Sequence, residues 1–300
     1  MADIDIAALA NLLQEAAVRE ILPRFRNLGE GDVRMKSEAI DLVTEADEAA
    51  ERLIRDGVAE IMPGALFIGE EAVAADPALL GRLAGADLAV VVDPIDGTFN
   101  FASGLALFGV MLSVVSKGET VAGLIYDPIG NDWAIVEKGS GSWMCKPDGS
   151  QEQMFMRPSQ PLEQMIGIAN TGFFDLEMRR KILSNLAEVR LFTSYRCAAH
   201  EYRLLGQGHM DFAMYNKLMP WDHLGGALMM QEAAASHRRR TAGRGRRGYM
   251  AGTARKDLYG LTKKRPGLPG LFYICRQLRP AGCVRGTAVP FRRSGRRSGR

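Results

Sequence analysis

The basic residues of this 300-residue chain are concentrated at its carboxyl end, and this division limits which part can form a folded core. Residues 238–300 contain 16 Arg and 3 Lys against a single acidic residue, Asp257, so this segment has a formal charge of +18. Residues 1–237 carry the opposite excess, −15. Because the tail is rich in Arg and Gly and shows little hydrophobic periodicity, we expect the folded part to lie within the first 237 residues.

Composition places that folded part among water-soluble globular proteins. The chain is 47% hydrophobic and 24% charged, and none of its apolar runs approaches the ~18–20 residues that a bilayer span needs. Asp3 and Asp5 lie where a secretory signal would carry positive charge, and the four cysteines lack CxxC spacing. We therefore expect a cytoplasmic protein that does not associate with membranes.

Helical and strand patterns in the first half predict an α+β arrangement. Apolar residues recur at helical spacing over residues 5–25 and again after Thr44, where Thr44–Asp47 resembles a capping box. Short apolar runs at 65–68 and 88–92 are typical of strands buried on both faces. The β-rich segments at 107–115, 120–126 and 133–137 are separated by turn sequences, which favours an antiparallel sheet.

A polar stretch at residues 146–160 predicts a domain boundary, and strands and helices alternate from 165 to 231. We therefore predict an α+β N-terminal domain over residues 1–150 that carries the acidic motifs. An α/β C-terminal domain follows over residues 151–237 and is predicted to be truncated. Residues 238–300 form the basic tail, which is predicted to be disordered.

Acidic residues follow two of the predicted strands. Glu70 and Glu71 end one strand, and Asp93 and Asp96 end the next, within the sequence Asp93–Thr98. Carboxylates that converge repel one another unless a cation lies between them, and oxygen ligands alone suit Mg²⁺. A surface turn and a solvated helix start are the ordinary structural explanations of the same residues, and for Asp222 the ordinary explanation is helix capping.

In combination, these motifs resemble the signatures of the inositol monophosphatase family, and on them the chain is identified as a member. The matching segments are Gly69–Glu71, Asp93–Phe101 (DPIDGTFNF) and Pro220–Ala233, with Lys36, Leu42–Asp47 and Arg196–Phe212 similar as well. The resemblance implies a layered αβαβα sandwich and a Mg²⁺-dependent phosphatase of the bacterial inositol-1-monophosphatase type.

The resemblance also implies a metal site with two to three Mg²⁺ ions. Glu70, Asp93 and the carbonyl group of Ile95 would hold the first ion. Asp93, Asp96 and Asp222 would hold the second, and Glu70 would touch a third, weaker ion.

The remaining implied roles concern water and substrate. Asp47 and Thr98 would orient the attacking water, with Glu70 as a third catalytic residue. The implied substrate-binding residues are Asp96, Gly97, Thr98, Arg196, Cys197, Ala198 and Tyr215.

The reaction implied is hydrolysis of a small phosphate monoester, first of all myo-inositol 1-phosphate, by in-line attack of a metal-activated water. Lithium sensitivity and a homodimer are implied as well. Tyr215 stands where animal members of the family have an inositol-binding glutamate. This difference leaves histidinol phosphate, a sugar phosphate and a 3′-phosphonucleotide open as substrates.

After Ala233 the sequence departs from the family pattern and becomes Arg-rich. We predict that this tail is translated out of frame, because shifted codons for Ala235–Arg239 can encode His-Leu-Ile-Ala, an apolar strand. A genuine basic extension that binds RNA phosphates is the alternative, and an inactive relic is another. Resequencing the gene and measuring the intact mass of the native protein distinguish these readings.

Overall fold

The computed structural model describes residues 4–29, 31–36, 42–158 and 160–242, and the strand at 272–275. Within these residues, the strands form three sheets, and helices pack on the two larger ones. The α-helices are α1 Ile6–Ala16, α2 Glu45–Ile61, α3 Glu70–Ala75, α4 Ala78–Arg82, α5 Thr98–Ala102, α6 Leu176–Leu186, α7 Ala198–Gly206 and α8 Pro220–Ala242. The strands are β1 Val33–Met35, β2 Leu42–Thr44, β3 Leu66–Gly69, β4 Leu88–Asp96, β5 Gly109–Ser116, β6 Glu119–Asp127, β7 Asp132–Glu137, β8 Gly141–Cys145, β9 Gln151–Gln153, β10 Ile166–Ala169, β11 Leu191–Thr193, β12 Phe212–Tyr215 and β13 Phe272–Cys275.

The largest sheet has seven strands in the order β3-β4-β5-β6-β7-β8-β9. β3 and β4 are parallel, and every later pair is antiparallel, as the turn sequences predict. A second sheet has the order β11-β10-β12-β13, and β1 pairs with β2 in a separate hairpin. The predicted N-terminal antiparallel sheet is therefore present, and the α/β alternation after residue 165 is confirmed.

The apolar side chains divide into layers that confirm the predicted αβαβα sandwich. α1 and α2 pack against one face of the large sheet through residues such as Leu13, Ile54 and Leu112. α7 and α8 fill the space between the two sheets, where Met229 and Tyr202 belong to a buried cluster that includes side chains of both. α6 covers the outer face of the second sheet. These buried clusters supply the main stabilising contribution.

The two predicted domains share one of these cores. β9 extends the large sheet to Gln153, three residues beyond the predicted boundary at residue 150. α8, from the second half, lies on the large sheet of the first half. The polar stretch at 146–160 is therefore partly an edge strand, because a solvent-facing strand needs few apolar residues.

The last described helix is longer than its apolar pattern predicts. Pro220 occupies its first position, where a missing N–H is tolerated, and the helix continues past His237 to Ala242. β13 pairs antiparallel with β12, with Phe272 opposite Tyr215. The rest of the basic tail, residues 243–271 and 276–300, lies outside the described residues, and the expectations of disorder and of an out-of-frame tail concern mainly those residues.

Within the described residues, no helix is both long and apolar enough to cross a bilayer.

Two glycines let α8 approach the large sheet, and this contact gives a prediction. A Cβ on Gly123 would lie 2.6 Å from the Cα of Gly225, which is backbone and cannot rotate away. We expect Gly123→Ala to lower the free energy of unfolding by roughly 1–3 kcal/mol, because α8 must shift. Thermal unfolding measures this. Gly81→Ala is the matched control, since its Cβ meets open space in a helix, and a loss as large in Gly81→Ala would contradict the packing argument.

Candidate active site

The register of β3 and β4 brings the first two acidic residues together. The strands are parallel and Gly69 lies opposite Val92. The next residues on each strand, Glu70 and Asp93, therefore leave the same edge of the sheet side by side. Ligand sites of α/β sheets form at such carboxyl ends.

A bulge in β4 then redirects the chain toward Asp96. Asp93 pairs with Met111 and Asp96 pairs with Gly109, so two residues of β4 oppose one residue of β5. Pro94 supplies one of the two, and it has no N–H to give to a ladder. The Ile95 N–H turns inward and donates to Asp93 Oδ1 at 3.1 Å. The bulge therefore fixes both aspartates and their separation.

Gly97 ends the bulge with a backbone that other residues rarely adopt. Its φ is +92°, and a Cβ there would lie 3.0 Å from the Leu107 carbonyl oxygen and 3.3 Å from the Cys197 Cβ. α5 begins at the next residue, Thr98. The absence of a side chain at Gly97 keeps this turn open beside the carboxylates.

The third member of the cluster comes from a distant part of the chain. Asp222 lies in the first turn of α8. Asp96, its neighbour in the cluster, is held by the Ala199 N–H of α7, which donates to Asp96 Oδ2 at 2.5 Å. One oxygen each of Asp93, Asp96 and Asp222 lies within 4.8 Å of the others. The structure thus brings these three carboxylates together, and their role as metal ligands stays a prediction.

Burial makes this cluster costly to ionise without a cation. It raises the pKa of Asp93, where the charges of Glu70 and Asp96 add to the effect. Burial likewise raises the pKa of Asp96 to about 6 and raises the pKa of Asp222. A divalent cation would take the place of the protons that these groups otherwise retain, and a donor set of oxygen atoms fits Mg²⁺.

Glu70 is held by a lysine that its motif does not contain. Lys36 Nζ lies 2.8 Å from Glu70 and 2.6 Å from Glu71. Burial lowers the pKa of Lys36, but the charges of the two glutamates outweigh it and raise that pKa overall. Lys36, which directly follows β1, therefore partly neutralises the negative charge of these carboxylates.

Glu51 holds the start of α3, the helix that begins at Glu70. The sequence analysis did not single out Glu51. Its buried carboxylate accepts hydrogen bonds from the Glu71 and Ala72 N–H groups, both at 2.8 Å. It thereby caps the first turn of α3. A Cβ on Gly69 would lie 2.2 Å from this carboxylate carbon, so a larger residue there would displace Glu51 from its hydrogen bonds to α3.

Asp47 and Thr98, to which the resemblance gives the role of orienting the water, lie within hydrogen-bond distance of each other. Asp47 Oδ2 accepts from the Thr44 N–H at 2.8 Å and from the Thr44 hydroxyl group, which completes the predicted capping box. Its Oδ1 lies 3.1 Å from the Thr98 hydroxyl oxygen, which is also 3.0 Å from the Ile95 carbonyl oxygen. Burial raises the pKa of Asp47 to about 7. One half of the carboxylate is therefore fixed and the other half faces the site.

These residues border a cavity of about 370 Å³. All of the sequence-predicted site residues line it except Asp47, which contacts it through Thr98. Residues to which the sequence analysis gave no role line it as well. Those within or near the motifs are Leu42, Phe99, Ser194, Glu201, Asn216, Lys217 and His223, whereas Ala169, Asn170, Thr171, Gly172 and Phe173 lie far from any motif and carried no signal.

Two of the predicted substrate residues have a structural role in the cavity wall. Cys197 is buried and its thiol pKa is raised by burial, which disfavours a nucleophilic thiolate. Tyr215 is buried against Glu201, and burial followed by that charge raises its phenol pKa. Both side chains shape the wall between the two sheets.

The raised pKa of Asp47 gives a prediction for the protein in EDTA. An acid whose folded pKa of about 7 exceeds its unfolded value of ~3.9 binds its proton more tightly in the folded state. Its contribution to stability is present below pH 4 and is lost as pH rises through 7. We therefore expect Asp47→Asn, which cannot titrate, to gain stability relative to wild type as pH rises from about 4 to about 7. Melting temperatures in EDTA measure this, and a difference that stays constant with pH would contradict it.

Comparison with known proteins agrees with this geometry. A sequence model of the inositol monophosphatase family matches residues 4–262, which continues beyond His237. The chain is 31% identical over 212 residues to an inositol-1-monophosphatase of Mycobacterium leprae, covering 69% of this chain and 71% of that protein. It is 29% identical over 203 residues to the fructose-1,6-bisphosphatase/inositol-1-monophosphatase of Thermotoga maritima, covering 67% and 73%. The solved structure of the extragenic suppressor protein suhB from Bartonella henselae matches with a TM-score of 0.64 at 27% identity, over 76% of this chain and 84% of that one.

Proposed function

Because the chain belongs to the inositol monophosphatase family and is a phosphoric monoester hydrolase, we propose that it hydrolyses a small phosphate monoester with Mg²⁺, myo-inositol 1-phosphate being the first candidate. The observation that carries the proposal is the meeting of Asp93, Asp96 and Asp222 within 4.8 Å in the lining of a cavity. Such a cluster needs a cation, and a phosphate ester needs cations for its hydrolysis.

The residues present fit two to three Mg²⁺ ions. Glu70, Asp93 and the Ile95 carbonyl group would hold one ion, and Asp93, Asp96 and Asp222 would hold another, with Glu70 also available to a third. When bound, Mg²⁺ supplies positive charge for the phosphoryl oxygens and the leaving oxygen and favours ionisation of water. The raised pKa values of the aspartates support this assignment, because they reflect buried carboxylates that repel one another and that a cation would stabilise in the ionised form.

The substrate phosphate is proposed to lie at the turn formed by Gly97 and Thr98. The absence of a Cβ on Gly97 lets the phosphate approach the backbone there. The remainder of the substrate would then extend along the wall that Arg196, Ala198 and Tyr215 form. This orientation places the phosphorus atom between the carboxylate cluster and Thr98.

Thr98 and Asp47 are proposed to position the attacking water. The Thr98 hydroxyl has one proton and two acceptors within 3.1 Å, the Asp47 carboxylate and the Ile95 carbonyl group. When it donates to Asp47, its lone pairs can accept a hydrogen bond from water. As a water proton moves to the Thr98 oxygen, the hydroxyl proton passes to Asp47. Asp47, with a pKa near 7, can receive that proton at neutral pH.

A panel of phosphate esters tests the proposal. We expect turnover with Mg²⁺, loss of turnover in EDTA and recovery when Mg²⁺ is restored. We expect myo-inositol 1-phosphate to be cleaved faster than β-glycerophosphate, and lithium to inhibit by replacing the second Mg²⁺. Equal turnover of the two esters would reject inositol phosphate as the substrate, and full activity in EDTA would reject the metal.

A sugar phosphate is the second candidate substrate. Tyr215 in the cavity wall supports it, because a tyrosine can accept and donate hydrogen bonds to many alcohols. The similar protein of Thermotoga maritima is named for both fructose 1,6-bisphosphate and inositol 1-phosphate hydrolysis. The same panel should therefore contain sugar mono- and bisphosphates.

A further inference from the structure

The cavity wall formed by residues 196–198 contains a strained backbone position. Arg196 has a φ of +53°, in the left-handed region that residues with a Cβ rarely occupy. These three residues line the cavity together with Gly97 and Thr98, the proposed phosphate turn. A strained conformation persists only where the surrounding contacts enforce it. The contacts of Tyr195, the residue before Arg196, therefore decide how the wall is held.

Asn100 holds the carbonyl group of Tyr195. It lies in α5, two residues after Thr98, and is 3% exposed. Its Nδ2 donates to the Tyr195 carbonyl oxygen at 2.8 Å and to the Leu107 carbonyl oxygen at 2.9 Å. Because neither acceptor can donate, the orientation of the amide group is determined. The Tyr195 carbonyl belongs to the peptide group that leads into Arg196, so this hydrogen bond fixes the plane from which the left-handed turn departs.

Glu201 holds the N–H group of the same tyrosine. Glu201 lies in α7 and its side chain is fully buried. Its Oε1 accepts from the Tyr195 N–H at 3.0 Å, and its Oε2 accepts from the Asn170 side-chain amide at 2.9 Å. The peptide groups on both sides of Tyr195 are therefore held, one by α5 and the other by α7.

The residues after Arg196 are held by Asp96. The Ala199 N–H donates to Asp96 Oδ2, and the Cys197 thiol donates to the Asp96 carbonyl oxygen at 3.5 Å. Arg196 therefore lies between two anchored points. The anchor at Asp96 belongs to the proposed metal cluster, whereas the anchor at Tyr195 uses none of the proposed ligands. A change at the Tyr195 anchor can therefore move the wall without the loss of a metal ligand.

We infer that Asn100 and Glu201 are positioning residues, which hold Tyr195 and thereby set the distance between the wall at residues 196–198 and the phosphate turn. This inference rests on the proposed phosphatase function and adds two determinants of substrate specificity to it. Asn100 is absent from the cavity lining and Glu201 is fully buried, so both act through the wall and not by contact with the substrate. The alcohol part of the ester, which is proposed to lie along this wall, is the part whose binding depends on them.

Asn100→Asp tests the inference with the smallest change of shape. An ionised carboxylate cannot donate to the two carbonyl groups, so the wall should move. We expect KM for myo-inositol 1-phosphate, or for the ester of the panel that is cleaved fastest, to rise about tenfold, the scale of a hydrogen bond lost between buried groups. The inhibition constant of inorganic phosphate and the Mg²⁺ affinity measured by calorimetry should stay within about twofold of wild type, because the proposed turn and ligands are unchanged.

A second pair of variants makes the test independent of whether Asn100→Asp folds. Glu201→Met has a similar size but cannot accept from the Tyr195 N–H, so it should raise KM as Asn100→Asp does. Glu201→Gln keeps one carbonyl oxygen for that N–H and should retain most of the wild-type KM. Ser142→Ala is the matched control, since the buried Ser142 hydroxyl donates to the Met229 carbonyl oxygen at 2.8 Å, outside the cavity lining. It should lower the melting temperature and leave KM unchanged.

A crystal structure of Glu201→Met gives a readout that does not depend on catalysis. We expect the backbone of Arg196 to leave the left-handed region when the Tyr195 N–H is released. Asp93, Asp96 and Asp222 should keep their positions.

The possible outcomes distinguish this inference from the proposed function. A wild-type KM in folded Asn100→Asp and Glu201→Met would overturn the inference, and so would an unchanged Arg196 conformation in the crystal structure. A parallel rise of KM and of the inhibition constant of inorganic phosphate would overturn it too, because the turn and not the wall would then depend on these residues. Failure of the wild-type protein to cleave any ester with Mg²⁺ would instead contradict the proposed function, and the crystal structure would still decide whether Glu201 holds the wall.

Discussion

Asp93→Asn is expected to abolish turnover, with a loss of at least about a thousandfold in kcat/KM, the scale of several kcal/mol that metal ions contribute to such reactions. Asp93 lies beside Glu70 through the register of β3 and β4, and it contacts Asp96 and Asp222 in the cluster. It is the carboxylate placed to serve both proposed ions. Asparagine keeps the shape and can still accept the Ile95 N–H, so the substitution removes mainly the charge.

A second readout makes this prediction independent of the assay. Burial and neighbouring carboxylates raise the pKa of Asp93, so its ionised form is unfavourable in the folded protein without metal. Asp93→Asn should therefore raise the melting temperature in EDTA at pH 8 while it lowers the affinity for Mg²⁺ measured by calorimetry. Asp148→Asn, at an exposed turn, is the control and should change neither. Activity of Asp93→Asn within tenfold of wild type would reject the bridging role.

Thr98→Ala is expected to lower kcat by roughly 10²–10⁴, the range for groups that take part in proton transfer, with little change in Mg²⁺ affinity. The Thr98 hydroxyl contacts Asp47 and the Ile95 carbonyl oxygen, and the proposed metal ligands do not include it. Thr98→Ser retains the hydroxyl and should restore most of the rate. Steady-state kinetics at saturating Mg²⁺ measures both variants.

The alternative role for Thr98 is stabilisation of the short helix α5, which begins at this residue. That role predicts a loss of ~1 kcal/mol in stability and an unchanged kcat. Thermal unfolding run beside the kinetics separates the two. A Thr98→Ala protein that unfolds at a lower temperature but retains full kcat would remove Thr98 from the proposed mechanism.

Local patterns in the sequence were sufficient to predict most of the helices and strands and to indicate a divalent-metal site. Alternating and helical periodicity predicted the antiparallel strands β5, β6 and β7, and the capping box at Thr44 marked the start of α2. β9 and the full length of α8 were not predicted, because an edge strand and a helix end carry few apolar residues. The basic tail is a composition signal, and what it does was not derivable from charge alone.

The sequence by itself determined that acidic residues follow two buried strands, and hence that oxygen ligands for a divalent ion gather there. Only the tertiary structure decided which of them meet: the bulge at Pro94 and Ile95 aims Asp96 at the amide of Ala199, and α8 brings in Asp222 from more than 120 residues away. The position of Lys36 beside Glu70 was likewise fixed by packing. The physical reason is that periodicity records which face of an element is buried, whereas the approach of distant side chains depends on register, bulges and helix placement, which no local pattern encodes.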